Sequence, residues 1–153
     1  MSKKTILLVS LLCLFLLSAC GVTSEKKEQK NIAAEQQFKT KTIDNIEMKL
    51  KKIRTTESGK NDKKNIVMFT LSFKNNDQMA VGIGGGDFKL KVGKDTYNVY
   101  APGNSIGQEI AVNDKVSGDV YFEIPTSVTE AILVYMPMKE ILGEWKVKIP
   151  ESE

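Results

Sequence analysis

The sequence contains no histidine. That absence removes the commonest general base, the commonest zinc ligand and the usual switch near neutral pH. Cysteine occurs only twice, at Cys13 and Cys20. Cys13 lies inside an apolar N-terminal run and Cys20 stands just after it, so no disulfide can staple the chain downstream of Cys20. A domain without disulfides must be held by its core alone, which takes roughly 100 residues. Arginine is confined to Arg54, and every other basic residue is lysine. Nucleic-acid recognition favours arginine for bidentate contacts, so no nucleic-acid partner is expected. With no histidine and no free cysteine, a nucleophile has nothing to activate it. The expectation is a protein that is not an enzyme, with no catalytic residues, no metal ligands and no cofactor.

The apolar run is itself too short to span a bilayer. Ile6 to Leu17 falls below the ~20 residues of a spanning helix. Its flanks explain it. Lys3 and Lys4 form a positive n-region, Ile6 to Leu17 an h-region, and Ser18-Ala19 the small residues of a cleavage site. Leu17-Ser18-Ala19-Cys20 resembles the lipobox of bacterial lipoproteins. The resemblance implies that Cys20 takes a diacylglycerol through a thioether, with palmitate-type acyl chains, and that cleavage falls between Ala19 and Cys20. A thiolate is the side chain nucleophilic enough for that attachment. One acyl chain binds a membrane only marginally, at ~0.8 kcal/mol per buried CH₂, whereas two chains on one residue hold firmly. The expected location is the extracellular face of a bacterial cell membrane, of Gram-positive type.

Lys3 and Lys4 account for two of the 22 basic residues, set against 19 acidic ones. The chain without its leader is close to neutral, and no partner can be inferred from its charge. The segmentation reads as a signal peptide at 1–19, a lipidated cysteine and tether at 20–41, and one domain at 42–150. Gly21 to Gln37 is rich in Lys, Glu, Gln and Ser and has no apolar stripe, which suits a stand-off from the lipid surface.

From Thr42 the apolar residues recur with period two, the mark of half-buried strands. Ile46, Met48 and Leu50 alternate with Glu47 and Lys49. Ile53 is off register by one, which predicts a bulge near Lys51-Lys52. Thr55 to Asn65 reads as a loop. Val67, Phe69, Leu71 and Phe73 share one face of the clearest strand, which Asn75-Asn76-Asp77 ends. Phe88, Leu90 and Val92 lead through Gly93-Lys94-Asp95 to Tyr97 and Val99 in a hairpin. Ile106, Ile110 and Val112 suggest a short edge strand. Val116 to Ile124 forms a strand stopped by Pro125. Ala131 to Met136 is apolar on both faces and so should be central. Trp145, Val147 and Ile149 close the domain before Pro150. Seven or eight short, regularly spaced strands predict an all-β, immunoglobulin-like β-sandwich.

Three segments resemble the DUF4352 family of secreted, telokin-like immunoglobulin-fold domains. They are Phe69 to Asn76, Asp87 to Leu90 with the turn and Tyr97 after it, and Val116 to Pro125 with Ala131 to Tyr135 after it. Where that family usually has a Pro-Gly turn, this chain has Asn113-Asp114-Lys115, and Asn and Asp take the same turn. The resemblance implies the fold and a cell-surface setting, and it brings no catalytic motif.

The remaining polar clusters read as structural. Gly82, Gly84, Gly85 and Gly86 enter a strand and lack the Gly-Lys-Ser/Thr ending and helix of a phosphate loop. Asp77, Asp87, Asp95, Asp114 and Asp119 lack the spacing of a calcium loop and suit turns. Lys49, Lys51, Lys52, Lys60, Lys63 and Lys64 suit a solvated face and a guarded sheet edge, or contact with anionic envelope material. Tyr97, Tyr100, Tyr121 and Tyr135 include outward-facing positions suited to recognition, and are equally ordinary strand formers. The functional expectation is a binding module for a protein or cell-envelope partner, its ligand residues unassigned. The alternatives are an accessory envelope role without a discrete ligand and, more weakly, a metal-dependent activity. The run Ile6 to Leu17 is also compatible with release of a signalling peptide, as any signal peptide is.

Overall fold

The computed structural model describes residues 36–153. The signal segment, the Ala19–Cys20 cleavage, the lipid on Cys20 and most of the tether that the sequence leads one to expect lie outside the described residues. Ten strands run in the order β1 (Lys41–Ile43), β2 (Ile46–Glu57), β3 (Lys64–Asn75), β4 (Val81–Gly84), β5 (Phe88–Val92), β6 (Asp95–Asn98), β7 (Gly107–Ile110), β8 (Lys115–Pro125), β9 (Glu130–Tyr135) and β10 (Gly143–Lys148). A 3-10 turn at Gly85–Asp87 is the single helical piece among the described residues. One sheet has the order β1-β2-β3-β8, a second β10-β9-β5-β6, and β4 pairs with β7 alone. Every pairing is antiparallel. The all-β sandwich is as the spacing predicts, with ten strands where seven or eight are expected.

Alternation places the core. Val67, Phe69, Leu71 and Phe73 of β3 are fully buried, as are Val120 and Phe122 of β8 beside them. Phe88, Leu90 and Leu133 face them from the second sheet. Phe69 and Phe122 meet edge to face at 5.7 Å within one sheet. Phe73 and Phe88 join the two sheets at 6.2 Å, and Phe88 leans on Tyr135 at 5.2 Å. Such pairs contribute ~0.5–1.5 kcal/mol beyond their buried area. Strand β9 is central, as its two apolar faces predict. Leu133 faces the core, while Val134 is buried on the other side, in register with Lys89 and Glu144 of its neighbours. The predicted bulge is present as a register shift between Leu50 and Lys52, which brings Ile53 back to the core side.

Three features differ from what the sequence predicts. First, β1 and its hairpin are additional. Asp44 and Asn45 have φ of 47° and 60°, the left-handed pair that a two-residue turn between Ile43 and Ile46 requires. Second, the expected loop from Thr55 to Asn65 is shorter. Thr55, Thr56 and Glu57 pair with Val67, Ile66 and Asn65, since β-branched threonines continue a ladder as readily as apolar residues do. Third, the tether expected to reach residue 41 gives way to the domain earlier. Gln36 donates from Nε2 to the Lys148 carbonyl at 2.7 Å and accepts from the Lys148 amide at 3.0 Å. Its carboxamide thus occupies the outer edge of β10 as a strand residue would. Phe38 then packs on the core, and the Lys41 ammonium stands 5.8 Å over the Trp145 ring.

These pairings give the sandwich two distinct ends. The described residues begin beside Lys148, and with Gln36 at Lys148, Lys41 at Trp145 and Ile43 at Gly143, residues 36–43 pass β10 in the opposite direction. The β2–β3 turn, the β8–β9 turn and the C-terminal residues share this entry end, where the Glu153 amide reaches the Thr55 carbonyl at 3.1 Å. The far end carries the turns at Asp44-Asn45, Asn76–Ala80, Ala111–Asp114 and Met136–Leu142.

Candidate functional site

The core-facing stripe of β3 continues in both directions beyond its apolar residues, and each continuation is an asparagine. At the far end Asn75 is fully buried. Its Nδ2 donates to the Met79 carbonyl at 2.8 Å and to the Ile110 carbonyl at 3.0 Å. Its Oδ1 accepts from the Asp77 amide at 2.8 Å. Its own amide donates to the Asp114 carbonyl, and its carbonyl accepts from the Asn113 amide, both at 3.0 Å. One side chain therefore ties the end of β3 to the turns after β3 and after β7. In sequence Asn75 reads only as a strand terminator. Its parity with Phe69, Leu71 and Phe73 is the signal that it points inward.

The loops built on this knot carry the large apolar side chains that the fold leaves outside. Met79 is 72 % exposed, Val112 42 %, Met138 92 % and Ile141 43 %. All four belong to far-end turns, and among the described residues no other large hydrophobic is exposed. Polar side chains brace the same end. Asn45 Nδ2 donates to Asp77 Oδ2 at 3.3 Å, and Asn76 Nδ2 donates to Glu47 Oε1 at 2.8 Å. The bonds from Asn45 and from the Gln78 amide hold the Asp77 carboxyl below the usual range.

At the entry end Asn65 is the other terminus of the stripe. It lines a cleft of about 340 Å³ together with Glu57, Asp62 and Glu151, among others.

The candidate residues named from the sequence are spread over the domain. The five aspartates are not brought together. Asp87 caps the 3-10 turn by accepting from the Gly84 amide at 2.8 Å. Asp119 accepts from Thr70 Oγ1 at 2.6 Å on the outer face of the first sheet. Among the described residues no three acidic side chains converge as metal ligands. The glycine run forms the 3-10 turn, with the Gly85 amide bonded to the Ile106 carbonyl at 2.6 Å. Lys49, Lys51 and Lys52 lie where β2 extends past the three-residue β1, an open edge of the kind that lysines keep from pairing with other chains. Lys64 is engaged. Its ammonium donates to Glu123 Oε2 at 2.8 Å while Ser58 donates to Oε1 at 3.1 Å. The Glu123 hydrogen bond raises the Lys64 pKa, and the Lys64 hydrogen bond lowers that of Glu123.

The tyrosines divide. Tyr97 packs at the core margin, and Tyr121 sits half-buried on the outer face of its sheet, so close to Gly103 that a Cβ there would lie 2.7 Å from its own Cβ. Tyr135 is buried in the core. Burial first, then the charges of Asp87 and Asp44, push its phenol up to about 12. The neutral phenol is thus favoured in the folded state. Its contribution is complete below the unfolded pKa near 10 and is lost as pH rises toward 12. A titration monitored by phenolate absorbance should show one tyrosine ionising well after the rest, and Tyr135→Phe should remove that late step. A Tyr135→Phe protein that keeps the late step would contradict this placement.

Sequence and structure comparisons agree with the architecture. A family described as a domain of unknown function, DUF4352, matches residues 36–143. No curated protein matches the chain by sequence. Among solved structures, the ycdA protein of Bacillus subtilis, described as a candidate lipoprotein, is similar with a TM-score of 0.61 at 18 % identity, over 74 % of this chain and 39 % of that one. The yjhA protein of Bacillus subtilis gives 0.52 at 16 % identity, over 73 % and 96 %. An uncharacterised β-sandwich protein of Clostridium difficile gives 0.50 at 12 % identity, over 74 % and 93 %. This chain thus spans well under half the length of ycdA, and at these identities the likenesses speak for the fold alone. The family match covers most of the chain and begins at Gln36, the residue that clamps the edge of β10: the protein belongs to the DUF4352 family.

Proposed function

We propose that this protein is a lipid-anchored, non-enzymatic display module on the extracellular face of a bacterial membrane, holding an apolar loop surface out to a protein partner of the envelope. The observation that carries this reading is the polarity of the sandwich. The chain enters at one end, and Met79, Val112, Met138 and Ile141 are exposed at the other. A Leu-Ser-Ala-Cys segment at 17–20 supports the anchor, as does the description of ycdA as a candidate lipoprotein. Among the described residues no helix is long and apolar enough to cross a membrane. Large apolar side chains on loops are costly to leave in water and are a common basis of recognition.

The test is site-specific photo-crosslinking in cells. A photoreactive residue at Val112 should give a discrete adduct, and one at Lys146 on the outer face of β10 should not. Met79→Glu with Met138→Glu should lower the Val112 adduct by about tenfold, the effect of losing ~1.4 kcal/mol of binding. Both methionines are exposed, so stability should change by less than ~0.5 kcal/mol each. Equal adducts from Val112 and Lys146, or a Val112 adduct indifferent to the two charges, would remove the far end as the recognition surface.

A further inference from the structure

The outer face of the first sheet carries none of the large exposed hydrophobics, which all sit on far-end turns. It carries a line of cations on β2 instead. Lys49 pairs with Ser72, Lys52 with Thr70 and Arg54 with Met68, and these partners are consecutive outward positions of β3. Alternation alone would set Lys51 and Ile53 on the side of Lys49. The extra residue of the bulge reverses this. It sends Ile53 to the core and brings Lys52 and the one arginine of the chain into line with Lys49. Outward side chains then follow each other at about 6.5–7 Å along the strand.

These charges are not used within the domain. Among the described residues the ion pairs are Lys64 with Glu123 and Lys91 with Glu144, and none of the three cations belongs to either. Lys52 and Arg54 are exposed. Across the ladder the line meets only the neutral side chains of Ser72, Thr70 and Met68. The carboxylates nearest on the same face have other bonds. Glu47 accepts from Asn76 at 2.8 Å, and Asp119 accepts from Thr70 at 2.6 Å. Past the three positions of β1, β2 is also the open edge of its sheet, so its outward amides have no partner strand there.

A row of unpaired cations on flexible stems suits a partner that is itself a row of anions. The interval along β2 is of the same order as that between phosphates one glycerol apart in a chain. A bilayer is a poorer occupant, because docking there joins cations to exposed apolar side chains, and this face has none. A nucleic acid is poorer too, because bases stack on exposed rings, and Tyr121, the aromatic residue of this face, is half-buried.

We propose that the line of Lys49, Lys52 and Arg54 binds a linear polyphosphodiester of the cell envelope, laid along β2 with one phosphate at each cation. The site takes its envelope setting from the reading above and nothing else. It lies on a flank of the sandwich, apart from the far-end loops.

Fluorescence anisotropy on the full chain in detergent, with a labelled octamer of glycerol phosphate as probe, tests it. Saturable binding is expected at about 50 mM salt, weakening roughly 20-fold by about 200 mM, because three phosphate contacts give a salt slope near ~2. Lys49→Gln, Lys52→Gln and Arg54→Gln together should weaken binding by about tenfold or more at the lower salt. Lys89→Gln, Lys146→Gln and Lys148→Gln remove the same charge from the outer face of the second sheet and should leave it within about twofold. Arg54→Gln alone should lower the salt slope by about 0.7, which keeps the test decisive if the triple variant fails to fold. Met79→Glu with Met138→Glu should leave the titration unchanged, so failure of the display surface and failure of this line are told apart. Four results would overturn the proposal: no saturation at the lower salt; equal losses from the two triple variants; tighter binding of an octathymidylate or of a polyglutamate of equal charge; or displacement of the octamer when the micelle is doped with phosphatidylglycerol.

Discussion

Replacing Cys20 with alanine is expected to abolish both lipid incorporation and maturation. The wild-type chain should take up labelled fatty acid, lose residues 1–19 and partition into the detergent phase. Cys20→Ala should carry no label and migrate as the unprocessed precursor. The size of the effect is set by where the membrane affinity resides. Each buried CH₂ contributes ~0.8 kcal/mol, and it takes two acyl chains to pass from marginal to stable retention. The Ile6 to Leu17 run left on the precursor is shorter than the ~20 residues of a span. Alkaline carbonate should therefore extract the variant and leave the wild type in the membrane. Equal labelling of the two proteins, or a wild type found wholly in the aqueous phase, would be incompatible with the anchor.

The second large effect is expected from Asn75→Ala. The change removes two donors and one acceptor from a fully buried position. It strands the Met79 and Ile110 carbonyls and the Asp77 amide and leaves a small void. A buried group left unpaired costs ~1–3 kcal/mol, and the Ile110 carbonyl, whose bond to Asn75 is buried, is the partner without water to turn to. A loss of about 3–5 kcal/mol is expected, against a total stability of ~5–15 kcal/mol for a domain. The melting temperature should fall by roughly 10–20 °C.

Asn75→Asp adds a sign. A carboxylate there faces two carbonyl oxygens, so the folded state resists its ionisation and raises its pKa. The penalty should be smallest below the ordinary aspartate pKa near 4 and should grow as pH rises. Urea unfolding of both variants at acid and neutral pH would measure this. An Asn75→Ala protein within ~1 kcal/mol of wild type would show that the turns hold without the knot.

What is legible in the sequence is whatever depends on period and parity. Alternation in Val67 to Phe73 and in Val116 to Ile124 identifies the central strands. The two apolar faces of Ala131 to Met136 place β9 in the middle of its sheet. The offset of Ile53 locates the bulge. What escapes a sequence reading rests on single polar residues whose environment is set by chain segments distant in sequence. Gln36 acts as an edge strand only because Lys148 is brought beside it, 112 residues away along the chain. Asn65 and Asn75 look like loop residues in sequence, because polarity outweighs parity when a strand end is read locally. Asp44-Asn45 is the one local signal without a matching expectation, although that pair between two isoleucines has the chemistry of a two-residue hairpin turn. The candidate site is the least legible part. Exposed apolar side chains are ordinary one at a time, and only the topology shows that Met79, Val112, Met138 and Ile141 share one end.

The clamp of Gln36 on Lys148 also bears on mechanics. A load arriving through the tether meets this side-chain pair before any regular ladder, and beyond it only the three paired positions of β1. Two hydrogen bonds at a sheet edge yield at lower force than the long β2–β3 ladder behind them. Peeling residues 36 to 45 from the edge would lengthen the connection by about 10 Å, since ten residues reach at most ~33–36 Å and the segment already runs extended over ~25 Å of that, while the β2-β3-β8 core of the sheet stays paired. The first stretch of the domain can therefore serve as slack, extending the reach of the loop surface under tension before the fold itself is put at risk.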